Sequence, residues 1–106
     1  MAAYGYVRTA RDSPINAKIQ QWHIEDWAAA HGETITETFA DLGVSGLSSP
    51  ERRPGFSELL ARLCPSGKLV VFEFDRLSRD CNDLLILFDQ LNDMCVPVCL
   101  ASSDDV

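Results

Sequence analysis

The stretch KLVVFEFD, residues 68–75, is rich in β-favouring residues and is bounded upstream by Pro65 and Gly67. It reads as a buried strand, and its neighbours decide the fold. Upstream, PGFSELLARLCPSG, residues 54–67, opens with Pro54 at a helix start. It places Phe56, Leu59, Leu60 and Leu63 on one face and stops at Pro65 and Gly67. Downstream, SRDCNDLLILFDQLNDM, residues 78–94, sets Leu84, Leu87, Phe88 and Leu91 at i, i+3, i+4 and i+7. Its outer face carries Asp83, Asp89, Gln90 and Asp93. A strand flanked by two amphipathic helices is a unit of a parallel sheet covered on both faces.

The same alternation extends to both ends. AAYGYVRT, residues 2–9, is a short apolar and aromatic run, a first strand. In SPINAKIQQWHIEDWAAAHG, residues 13–32, Ser13 suits the N-cap, Pro14 the first helical position and Gly32 the stop. Ile24, Trp27, Ala28 and His31 share one face of this helix, with Gln20 one turn earlier. TITETFAD, residues 34–41, reads as a second strand and VPVCLAS, residues 96–102, as the last. Between them LGVSGLSSPERRPG, residues 42–55, is a loop rich in Gly, Ser and Pro, and SDDV is a polar tail. The expectation is an α/β three-layer sandwich, β-α-β-α-β-α-β, with a mainly parallel four-stranded sheet in one domain spanning residues 1–106.

Composition narrows the function. Lys and Arg number 9 against 16 Asp and Glu, a net charge of −7. Duplex DNA binding draws on cations that neutralise phosphates, so the global field opposes it and any DNA contact must be local or supplied by a partner. No apolar run approaches a membrane span, and the start has no secretory pattern, so the expected location is cytoplasmic. Cys64, Cys81, Cys95 and Cys99 have no spacing that brings four ligands together with His23 and His31. They read as buried free thiols, with no metal and no cofactor expected.

In parallel sheets functional groups collect beyond the carboxyl ends of the strands. The first strand delivers Arg8 and Thr9 there. The second delivers Asp41 and then Ser45 in a Gly-flanked loop. The third delivers Asp75, Arg76, Ser78 and Arg79, and Arg53 stands at the mouth of the next helix. Arg8, Arg53, Arg76 and Arg79 would thus share one rim, and the planar guanidinium matches a phosphate at two points. Asp41 and Asp75 would orient these arginines or handle protons. The plainer alternative is surface ion pairing, Asp75 with Arg79 and Asp41 with Arg8.

The segments YGYVRTA, IQQW and WAAAHG, FADLGVSG, RRPGFSELL and VVFEFDRLSRD, in this order, resemble the catalytic domain of serine recombinases, the resolvase and invertase family. The spacing around DLGVSG is similar to that of the large serine recombinases. The resemblance implies a serine that attacks a DNA phosphate to form a phosphoserine link, with arginines activating the phosphate and no metal. Carried over by motif, the substrate-phosphate residues are Arg8, Gln20, Ser45, Arg53, Arg76 and Arg79, and the catalytic acids are Asp41 and Asp75. The family pattern Tyr-x-Arg-x-Ser reads Tyr6-Val7-Arg8-Thr9-Ala10 here, so Ala10 stands at the nucleophile position. The resemblance also implies a long dimerisation helix and a DNA-binding domain beyond this sheet; the expectation for residues 1–106 is a catalytic domain without either.

Three readings follow. In the first, the chain is a recombinase domain without its chemistry, whose partners are DNA and an active recombinase. In the second, an acidic protein of a phage or mobile element uses Asp80, Asp83, Asp89, Asp93, Asp104 and Asp105 to bind a nucleic-acid-processing protein. In the third, Thr9 replaces the serine as nucleophile. Alternation along a strand aims Thr9 at the face opposite Arg8.

Overall fold

The computed structural model describes residues 2–63 and 67–102. Four strands, β1 (Ala3–Thr9), β2 (Ile35–Leu42), β3 (Lys68–Val71) and β4 (Val98–Leu100), form one sheet in the order β2-β1-β3-β4. All pairings are parallel, with Arg8 opposite Asp41 and Tyr6 opposite Val71. β1 is therefore central, and its Tyr6, Val7, Arg8 and Thr9 are all buried.

The helices are α1 (Pro14–Ala30), α2 (Pro54–Arg62), α3 (Phe74–Leu77) and α4 (Cys81–Asp93), with a short 3-10 turn over Pro50–Arg52. Strand alternation divides the core in two. Tyr6, Phe39, Leu69 and Val71 pack with Phe56 and Leu59 of α2 and Leu87 and Leu91 of α4. Val7, Val70 and Ala101 pack with Ile24 of α1 on the other face. This is the three-layer sandwich expected from the alternation.

Local chemistry sets the helix ends. Ser13 caps α1 by accepting from the Asn16 N–H at 3.2 Å. Gly32, at φ +69°, ends it, and the Gly32 and Glu33 N–H groups return to Ala29 and Ala28. Asp80 caps α4 by accepting from Asn82 and Asp83.

Three expectations need correction. β3 does not run to Asp75: it stops at Val71, and Phe74–Leu77 turn into α3. The carbonyls of Asp75 and Arg76 lie in that turn, where a short helix leaves them without intrahelical partners, and Arg8 and Arg53 donate to them instead. The last strand is shorter than 96–102. The free thiols Cys81 and Cys95 are exposed and Cys99 is half-buried, while Cys64 lies outside the described residues. Asp104 and Asp105 lie outside them too.

Candidate phosphate site at the strand ends

Arg8 leaves β1 fully buried, 1 % exposed. Its Nη1 donates to Val44 O at 2.8 Å, its Nη2 to Asp75 O at 2.9 Å and its Nε to Arg76 O at 3.2 Å. One guanidinium thus ties the loop after β2 to α3. Burial lowers the Arg8 pKa, and the nearby Arg53 and Arg76 add repulsion.

Arg53 is equally buried and precedes α2. Its Nη1 donates to Arg76 O at 3.2 Å, the oxygen that also accepts from Arg8, and its Nη2 donates to Ser48 O at 2.9 Å. Arg76 returns the contact, its Nη1 reaching Arg8 O at 3.5 Å. Arg79 is exposed, and its backbone N–H donates to Gly46 O at 2.8 Å. A Cβ at Gly46 would stand 2.6 Å from Arg79 Cγ and 2.9 Å from Arg8 Nη2, so only glycine admits both arginines there. Arg8, Arg53 and Arg76 meet around the Arg76 and Arg8 carbonyls, and the Arg79 side chain passes the same glycine as Arg8 Nη2. The difference from the expectation is that Arg8 and Arg53 already hold carbonyl oxygens.

Gln20, 2 % exposed on α1, donates from Nε2 to Arg8 O at 3.0 Å. It thereby fixes the end of β1 from the opposite layer. Three buried polar atoms in these residues have no hydrogen-bond partner: Gln20 Oε1, Asp75 Oδ1 and Arg76 Nε. Such atoms are rare in folded proteins and call for an explanation.

Asp41 does not pair with Arg8. It accepts from the Gly55 N–H at 2.8 Å, the Phe56 N–H at 3.0 Å and the Tyr6 hydroxyl at 2.8 Å. Arg53 gives α2 no side-chain cap, so Asp41 caps that helix from the neighbouring strand. A Cβ on Gly55 would lie 2.5 Å from Ala40 O, which explains a glycine in the first turn. Nor does Asp75 pair with Arg79: the ion pairs among the described residues are Arg62–Glu37, Lys68–Glu33 and Arg76–Glu73.

The residue that sequence reasoning missed is Tyr6. Its phenol donates to Asp41 and accepts from Arg53 Nη1 at 3.4 Å, linking cap and arginine. Burial raises its pKa far above the ordinary value, so it stays neutral. The signal available was its place two residues before Arg8, on the same face of the strand.

Thr9 is buried, and its hydroxyl donates to Arg11 O and accepts weakly from the Gly43 N–H at 3.4 Å. Ala10 follows directly and is exposed. Ser45 is also exposed, its Oγ accepting from the Leu47 N–H. No group of three or more metal-ligating side chains occurs among the described residues. No helix among them is long and apolar enough to cross a membrane.

Among solved structures, the C-terminal catalytic domain of ISC1926 TnpA, an IS607-like serine recombinase, matches with TM-score 0.82 at 20 % identity. The match covers 100 % of this chain and 71 % of that one. The N-terminal catalytic domain of TP901-1 integrase matches with TM-score 0.83 at 23 % identity, over 97 % of this chain and 80 % of that one. A serine recombinase from Sulfolobus solfataricus matches with TM-score 0.73 at 22 % identity, over 99 % and 71 %. These likenesses establish the fold. The search of curated proteins finds no match. The model of the resolvase N-terminal domain matches residues 3–105, nearly the whole length, and the chain belongs to that family.

Proposed function

We propose that the chain holds a DNA phosphodiester at the arginine rim without cleaving it, because Ala10 offers no hydroxyl where the family places its serine. The observation that carries this reading is the convergence of Arg8, Arg53 and Arg76 on one carbonyl and one strand end, with Arg76 Nε buried and unpartnered. Arg8 and Arg53 set the frame. Arg76 and Arg79 present the donors that a phosphate oxygen would take. Gln20 positions the strand end, and Asp41 and Tyr6 position Arg53.

The Thr9 reading fares worse, because that hydroxyl is engaged by Arg11 O and its residue shares strand parity with Val7, which packs on the α1 side. The acidic-strip reading also loses support. Asp80 is engaged as a helix cap, and Asp83 and Asp89 lie about 120° apart around α4. A domain of this kind would act as a regulator, occupying DNA or joining an active recombinase, and its net charge of −7 keeps unaided DNA binding weak.

The test pairs the natural chain with Ala10→Ser on short duplex DNA at low salt. Both proteins should retard the duplex in a native gel, and only Ala10→Ser should leave a denaturant-resistant adduct. An adduct from the natural chain would overturn the reading. Retardation by neither protein would make the arginine cluster purely structural.

A further inference from the structure

The helix that covers a sheet normally turns a polar face to solvent. α1 does not. Opposite its buried Gln20, Ile24 and Ala28, it carries Ile15, Ile19 and Trp22, which are 75 %, 53 % and 61 % exposed. These three stand at i, i+4 and i+7, one continuous stripe. Cavities on either side of Trp22 meet at Trp22 and His23.

The order of side chains along the stripe is self-complementary. Lys18 and Asp26 lie four residues before and four after Trp22. At about 100° per residue they sit about 40° to opposite sides of it. A two-fold axis through Trp22, perpendicular to the helix, therefore brings Lys18 of one copy onto Asp26 of the other, twice. The same axis sets Ile15 against Ala29, seven residues to either side of Trp22, so a large side chain meets a small one. Ile19 meets Glu25, whose aliphatic stem can cover it. All six positions are exposed in the isolated chain.

We propose that α1 is an isologous interface: two copies of this chain pair through antiparallel α1 helices, with Trp22 on the two-fold axis and reciprocal Lys18–Asp26 ion pairs. This goes beyond the DNA reading and uses none of the arginine-rim residues; of the residues around that rim only Gln20 lies on α1, on its buried face.

The experiment is sedimentation velocity of the chain without DNA over a concentration series, so its result is independent of whether the rim binds phosphate. The expected result is a monomer–dimer equilibrium. W22E should abolish the dimer by placing two carboxylates at the axis. K18E and D26K, each of which sets like charges together twice, should each weaken it by about tenfold or more. The double reversal K18E/D26K restores opposite charges and should return the affinity to within about threefold of the original. These positions are exposed, so far-UV circular dichroism should be unchanged. A chain that stays monomeric at every concentration, a dimer indifferent to W22E and K18E, or a double reversal no better than the singles would each overturn the proposal.

Discussion

The Tyr6 phenol donates to Asp41 and accepts from Arg53, while Asp41 holds the first N–H groups of α2. One buried hydroxyl thus joins the central strand, the α2 cap and a rim arginine. Tyr6→Phe keeps the ring's packing against Phe56, an edge contact at 5.0 Å, and removes only the hydroxyl. It leaves Asp41 without one partner in a buried setting. The expected cost is about 1.5–3 kcal/mol, the range for hydrogen bonds to charged groups. It should read out in urea unfolding as a lower midpoint with unchanged slope. Asp41 itself shows what a motif conceals. An acid among arginines suggests an ion pair or a proton carrier, and only the fold brings it next to an uncapped helix.

At the scale of elements, α4 ends at Asp93 with Met94 as its C-cap, and Cys95 adopts φ 59°. The Cys95 N–H returns to Asn92 O and the Val96 N–H to Leu91 O, the paired bonds of a left-handed helix stop. Val96 and Leu91 are buried in the same core. A side chain in this backbone region is strained, by roughly 1–2 kcal/mol. Cys95→Gly should therefore raise stability by about 1 kcal/mol, measured by thermal or urea unfolding. The contrast with α1 explains what the sequence made legible. Ser13 and Gly32 are ordinary start and stop residues, and they marked α1 to within a residue or two. Cys95 carries no such signal. α3 had none either: its first two residues, Phe74 and Asp75, read as the end of a strong strand, and Arg8 and Arg53, distant in sequence, hold the Asp75 and Arg76 carbonyls of the turn. The apolar stripes of α2 and α4 were readable because burial of a helix face leaves a period; side-chain to carbonyl bonds between distant loops leave none.

For the whole molecule, a net charge of −7 and a rim of four arginines pull in opposite directions. Long-range repulsion from duplex DNA fades with salt, but so does the phosphate attraction. The proposed binding would therefore be local, with a footprint confined to the rim. The measurement that tests this most directly is nuclear magnetic resonance of arginine Nε–H groups, with short duplex DNA added at low salt. The account predicts that Arg8, Arg53, Arg76 and Arg79 move together, Arg76 furthest, because its Nε is buried without a partner and would gain one. Arg11, Arg52 and Arg62 should stay near their starting positions. Shifts confined to those three, or no shifts at DNA concentrations well above the protein's, would contradict the claim that the rim is a phosphate site.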